Sequence, residues 1–178
     1  MRIEVEKLTE RGESLARVYT PDELPLEDEF ARVVTDVRVE GRASRRGGEV
    51  LVAGTIDTAV ELRCDRCANP IPFPVKLDFK AELVAAAPGE VGAEATELQA
   101  EDLDRSFFDG EFVEVDDLVR EQILLALPAR QLCRDECKGL CPTCGIDLNA
   151  QPCDCAHGET DPRWSALAEI KKEVNGES

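Results

Sequence analysis

The sequence predicts an α+β fold: an antiparallel β-sheet or partial barrel with two helices and a C-terminal Cys-rich module. Three observations predict it. Residues 50–64 and 71–83 alternate apolar and polar side chains, and period two buries one face of a strand while wetting the other. Two later stretches, residues 117–127 and a segment opening at Asp161, carry helix start and stop signals. Six of the eight cysteines fall between Cys133 and Cys155, at spacings that let thiolates converge.

The sheet is expected across residues 33–85. Val50, Val52, Gly54, Ile56, Thr58, Val60, Leu62 and Cys64 form one inward row. Ile71, Phe73, Val75, Leu77, Phe79, Ala81 and Leu83 form the next. Arg45-Arg46-Gly47-Gly48 reads as the hairpin turn before the first row. Cys64-Asp-Arg-Cys67 falls at the tip between the two long strands. Pro72 and Pro74 lack backbone donors, so their strand is expected to begin at a sheet edge.

Residues 86–112 exchange alternation for alanine, glycine and acid, and read as a mobile loop with order around Leu103, Phe107 and Phe108. Asp116 reads as an N-cap for a helix Asp117–Leu127 that Pro128 stops. The end of that helix, Ile123 to Leu127, is apolar all round and is expected to be buried against the sheet. A second helix is expected after Asp161, with Pro162 in its first turn and Trp164, Leu167, Ile170 and Val174 as its apolar stripe. The domains follow: residues 1–128 are a β-rich domain with an acidic loop (86–115) and a buried helix (117–127). Residues 129–178 hold the cysteine module and the C-terminal helix.

A chain of 178 residues suits one domain with a small appended module. At this size roughly 70% of the unfolded surface can be buried, so folding needs no disulfides. MRIEVEKLTE has no apolar signal core, and no apolar run reaches the ~18 residues of a membrane span. The expected compartment is the cytoplasm, where clustered thiols stay reduced and favour metal over disulfides. The net charge is −17, of which −10 lies in residues 90–117. Such a field repels a phosphate backbone and favours a basic protein partner.

The cysteine spacings make the module a zinc-binding one. In Cys133-x3-Cys137-x3-Cys141-x2-Cys144-x8-Cys153-x-Cys155, thiolates two to four residues apart can close on one tetrahedral ion. Eight cysteines suit two Zn²⁺ sites. The preferred partition places Cys141, Cys144, Cys153 and Cys155 on one, and Cys64, Cys67, Cys133 and Cys137 on the other. The second set would staple the module to the sheet tip. One four-thiolate site, with the other cysteines free or paired, is the alternative, and iron in place of zinc stays open. A thioredoxin-like dithiol prefers a helix N-terminus, whereas Cys64 and Cys67 are flanked by strands. His157 is a possible extra ligand but fits a solvent-facing residue better. Trp164 fits core packing better than base stacking, and Arg45 and Arg46 fit loop charges better than phosphate ligands.

Leu132 to Asn149, then Cys153-Asp-Cys155 and Asp161-Pro-Arg163, resemble the bacterial large ribosomal RNA subunit accumulation protein family, the YceD family. Leu62-Arg-Cys64-Asp-Arg-Cys67 and the helix running into Leu-Ala-Leu-Pro128 share the likeness, which covers roughly residues 30–170. The resemblance implies a small cytoplasmic protein needed for accumulation or processing of large-subunit ribosomal RNA. The genes of such proteins often neighbour that of a basic large-subunit ribosomal protein. It implies no catalytic residue.

The expected function is therefore a non-enzymatic ribosome-biogenesis factor with structural zinc. Its expected partner is a basic ribosomal protein or assembly factor, with large-subunit rRNA reached directly or indirectly and no membrane. A zinc-ribbon-type nucleic-acid-binding protein is the alternative, weakened by the net charge of −3 on residues 118–178. A thiol redox protein ranks lower. An enzyme ranks low as well, because all-thiolate zinc sites are closed and one histidine leaves little acid–base choice.

Overall fold

A computed structural model describes residues 1–85, 106–108 and 110–155, together with Arg163 and Leu167. The chain divides into two compact units, Met1–Cys133 and Arg134–Ser178.

Among the described residues the first unit has eight strands: β1 (Arg2–Glu4), β2 (Glu13–Tyr19), β3 (Ala31–Val33), β4 (Val37–Arg46), β5 (Glu49–Arg63), β6 (Pro70–Ala85), β7 (Ser106–Phe108) and β8 (Phe112–Glu114). One helix, α1 (Val115–Ala126), follows. Strands β2-β4-β5-β6-β7 form one sheet in that order, with β3 also on β5, and β1 pairs with β8 in a second, two-stranded sheet.

Strand β5 is the spine. It pairs antiparallel with β6 along its whole length, from Glu49↔Val84 to Arg63↔Pro70. Its other edge is shared by β4 and then β3. Between those two strands the ladder is carried by a side chain. Val34 N–H reaches Ala59 O at 3.0 Å, and Ala59 N–H donates to Thr35 Oγ1 at 2.8 Å. Thr58 is buried, and its hydroxyl donates to Thr35 O at 3.3 Å, which removes the cost of an unpaired polar group in the core. Gly47 and Gly48 are the two-residue loop joining β4 to β5, with Gly47 at φ +63°.

The expected inward rows hold. Val50, Val52, Ile56, Val60 and Leu62 on β5 are buried, as are Val75, Phe79, Ala81 and Leu83 on β6. The N-terminal segment adds Ile3, Val5, Leu8, Tyr19, Leu24 and Leu26 to the same core, and α1 adds Val115, Leu118, Val119 and Ile123. Pro70, Pro72 and Pro74 stand opposite Arg63, Glu61 and Ala59. Beyond them the far edge of β6 has no strand among the described residues until β7 pairs with Leu83–Ala85, so prolines occupy the edge half.

Several expectations are corrected. The β6–β7 pair is parallel, so the sheet is not wholly antiparallel. Of the two expected alternatives, sheet or partial barrel, the described residues form the open sheet, which ends at β2 and β7. Residues read as loop contain β7 and β8, three residues each, too short for periodicity to reveal. Helix α1 starts two residues earlier than expected, and its N-cap position, Glu114, makes no side-chain cap bond. Asp116 lies inside the helix. Its carboxylate accepts the Tyr19 hydroxyl at 2.6 Å and pairs with the N-terminal amine. Nor is the end of α1 buried all round, since Leu125 is 71% exposed. Helix α1 is the one α-helix described along its length, and Leu167 is also helical. The second expected helix and Leu103 lie outside the described residues, apart from Arg163 and Leu167.

Candidate metal centres

The turn between β5 and β6 carries the first thiolates. Ala68 N–H donates to Cys64 O at 2.8 Å and Cys64 N–H to Asn69 O at 2.9 Å. Ala68 takes the left-handed φ of 57°. This closes the C-x-x-C into one tight loop with Cys64 and Cys67 both buried. Asp65, between them, exchanges two bonds with the segment after α1. Its N–H donates to Gln131 O at 3.0 Å, and its carboxylate accepts Gln131 N–H at 2.7 Å. That exchange brings Cys133 beside the turn: its Sγ is 3.6 Å from Cys67 Sγ and its N–H points at Cys64 Sγ from 3.4 Å. The sulfurs of Cys64, Cys67 and Cys133 all lie within 4.8 Å of one another.

The second set lies within the second unit. Cys141 N–H donates to Ile146 O at 2.8 Å and Gly145 N–H to Cys141 O at 2.9 Å. Gly145 supplies the φ of +73° that turns the chain after Cys144, a backbone state glycine adopts without a Cβ penalty. Leu148 N–H bonds Gly139 O, and Leu140 bridges Asp147. The chain then returns, and the sulfurs of Cys141, Cys144, Cys153 and Cys155 come within 4.8 Å of one another. Within each unit the cysteines gather as the preferred partition has them: Cys64, Cys67 and Cys133 in the first, and Cys141, Cys144, Cys153 and Cys155 in the second. His157 and Trp164 lie outside the described residues.

Asn149 is a contributor that sequence reasoning missed. Its Oδ1 accepts the Arg134 guanidinium at 2.8 Å and Lys138 N–H at 2.9 Å. Its Nδ2 donates to Asp147 Oδ1 at 2.7 Å and to Cys137 Sγ at 3.4 Å. A side-chain amide that orients a thiolate is what metal sites place around their ligands. Asp65 and Gln131 were missed as well. An acid inside a C-x-x-C is a visible signal, but its partner sits 66 residues away.

The electrostatics fit a cation. Burial pushes the Cys64 thiol up, but N–H groups of Cys133, Arg66 and Cys67 outweigh it and bring the thiol down to about 6. The N–H of Cys144 and then that of Thr143 do the same for Cys141, again to about 6. In the second set the neighbours oppose each other. Hydrogen bonding to Cys144, burial and the nearby sulfurs push Cys155 up to about 12. Cys153 is raised as well, by Cys141, burial and Cys144 against an opposing bond from the Cys155 N–H. Four crowded sulfurs cannot all ionise by themselves, whereas a divalent ion at their centre reverses that balance and deprotonates coordinating thiols.

Fold and site together define a small α+β protein whose cysteines gather in two candidate metal centres. The family model described as "Large ribosomal RNA subunit accumulation protein YceD" matches residues 52–171, more than half of the chain. The chain belongs to this family. An uncharacterized protein of Mycobacterium tuberculosis is 33% identical over 157 residues, covering 86% of this chain and 70% of the relative. YlbN of Bacillus subtilis, also uncharacterized, is 27% identical over 143 residues, covering 80% and 78%. A Zea mays protein named large ribosomal RNA subunit accumulation protein YCED homolog 1, chloroplastic, is 28% identical over 153 residues, covering 73% of this chain and 52% of the relative. No solved structure matches the chain. No helix among the described residues is long and apolar enough to cross a membrane.

Proposed function

We propose that this chain is a non-enzymatic cytoplasmic assembly factor that supports accumulation and processing of large-subunit ribosomal RNA, with two structural zinc ions. Membership of the family, whose description names large ribosomal RNA subunit accumulation, is the observation that supports it. Two all-cysteine groups support a structural use of metal, since four-thiolate zinc is closed and leaves no position for an activated water. The net charge of −17 favours a basic ribosomal protein or assembly factor as the partner over naked RNA.

Depletion of the protein from cells tests the role. Large-subunit rRNA is expected to fall relative to small-subunit rRNA, with precursors accumulating. Unchanged levels and maturation overturn the reading. Native mass spectrometry with a zinc assay tests the metal. Two zinc ions per chain are expected, and fewer than two exclude the two-site arrangement.

A further inference from the structure

The surface where α1 meets β7 and β8 carries a groove of about 290 Å³. Its apolar lining includes Phe107, Phe108, Phe112 and Leu118. Three of the chain's six phenylalanines therefore gather here, and Phe107 is 51% exposed. Aromatics standing at a surface mark interaction sites, because they bring much contact area at little entropic cost. Glu114, Asp117 and Glu121 also line the groove. Asp117 and Glu121 are one helical turn apart, so both carboxylates project from the same side of α1.

The chain itself shows what such a surface holds. The Arg2 guanidinium lies 4.9 Å from the centre of the Phe112 ring and pairs with the Glu114 carboxylate. A cation over an aromatic face beside a carboxylate gains from both the ring quadrupole and the ion pair. The rest of the groove repeats those elements: phenylalanine floor and acidic rim. Residues 86–105, which join β6 to β7, carry six acids and one base. Their charge is of the same sign as the rim and disfavours them as its occupant. RNA is disfavoured by the same sign.

We infer that this groove docks a Lys/Arg-rich protein segment bearing an apolar side chain. The apolar group seats against Phe107 and Phe108, and the cations meet Glu121 and Asp117, whose Oδ1 already accepts from Arg120 at 2.7 Å. The inference rests on the reading above that the partner is a basic protein, and it assigns that partner's contact surface.

The test uses the full metal-loaded chain and a fluorescent twelve-residue peptide of Lys, Arg and Leu, followed by anisotropy across salt. Glu121→Lys and Phe107→Ser are each expected to weaken binding about tenfold, the size of an interface hot spot. Glu40→Lys, on β4, makes the same change in net charge and is expected to weaken it less than about threefold, through long-range charge alone. Circular dichroism confirms that the variants stay folded. Equal losses for Glu121→Lys and Glu40→Lys overturn the proposal, as does unchanged binding by Phe107→Ser. An intramolecular cross-link from Phe107, replaced by a photoreactive residue, into residues 86–105 that persists at saturating peptide also overturns it. Tighter binding of a twelve-nucleotide RNA than of the peptide does the same. Co-purification of the wild-type chain with large-subunit precursors is scored separately. If that holds while the groove variants bind the peptide normally, the groove fails and the assembly role stands. If co-purification fails, the assembly role falls whatever the peptide does.

Discussion

Asp65 and Gln131 hold each other by two hydrogen bonds. The Asp65 N–H donates to Gln131 O at 3.0 Å, and the Gln131 N–H donates to the Asp65 carboxylate at 2.7 Å. The pair ties the turn bearing Cys64 and Cys67 to the segment that leads into Cys133. A cysteine group assembled from distant parts of the chain needs such a fixed point, because its ligands otherwise carry the full cost of loop closure.

Asp65→Ala removes the carboxylate and leaves the Gln131 N–H without it. The loss is expected to be about 1–2 kcal/mol in urea unfolding of the metal-loaded protein, the range for a charge-assisted bond to a backbone donor. Asp65→Asn keeps a neutral acceptor and is expected to recover about half of that. An unchanged unfolding midpoint for Asp65→Ala shows that the exposed pair is replaced by water at no cost.

Asn149 acts on a thiolate rather than on the fold at large. Its amide donates to Cys137 Sγ at 3.4 Å while its carbonyl side accepts from Arg134 and Lys138. Loss of a group that orients a metal ligand typically lowers metal affinity about 10- to 100-fold. Asn149→Ala is expected to lose one of two bound zinc ions to a competing chelator at a concentration roughly 10- to 100-fold lower than the parent requires. Asn149→Asp keeps an acceptor but brings a negative charge to the sulfur, and is expected to retain the metal no better. Equal retention by Asn149→Ala and the parent removes this role.

How much of this was legible follows from the range over which each signal acts. The rows on β5 and β6 were readable because fifteen and sixteen residues of strand repeat the period many times. The group Cys141, Cys144, Cys153 and Cys155 was readable because its short spacings are a local signal, whereas Cys64 and Cys67 were joined to Cys133, 66 or more residues away, only by elimination. Strand β2 was not, since only Tyr19 in it is buried and Val18 faces solvent. Strands β7 and β8 are too short to show a period. The start of α1 was misread because Asp116 has the chemistry of a cap, while its partner Tyr19 is 97 residues away. Asp65 and Asn149 were visible as residues, but their roles depend on geometry that spacing alone does not set.

Gly41 and Gly54 face each other across β4 and β5. A Cβ at Gly54 would stand 2.3 Å from Glu40 O, and one at Gly41 would stand 2.4 Å from Ala53 O. Both obstacles are backbone, so neither can swing aside. Phe79, opposite Gly54 on β6, is buried. Gly54→Ala is expected to cost about 2–3 kcal/mol, the scale of overpacking a closed site. Gly48→Ala is the control, because nothing lies within 4 Å of a Cβ there. It is expected to stay within about 0.5 kcal/mol of the parent. Thermal unfolding of the two variants side by side checks the contrast, and a Gly54→Ala protein as stable as the parent shows that the strands can part.

The Tyr19–Asp116 bond gives the fold an acid-sensitive contact. Burial alone would raise the Asp116 carboxyl, but bonds from the N-terminal amine and the Tyr19 hydroxyl outweigh it and hold the group below its usual value of 3.8. Burial and the same bond push the Tyr19 hydroxyl far above its usual range, so it remains a donor at any ordinary pH. A carboxyl whose folded pKa is depressed contributes stability that is present above its unfolded pKa and lost as pH falls through its folded one. The window for Asp116 therefore runs from about pH 4 downward, and the contact is constant between about pH 5 and 8. Tyr19→Phe is expected to cost about 1 kcal/mol at neutral pH and to narrow the acid window by returning Asp116 toward its ordinary value. Asp116→Asn is expected to remove this residue's share of the pH dependence while keeping an acceptor for Tyr19. Urea midpoints from pH 2.5 to 7 check both variants, and a Tyr19→Phe curve parallel to the parent's throughout excludes the coupling.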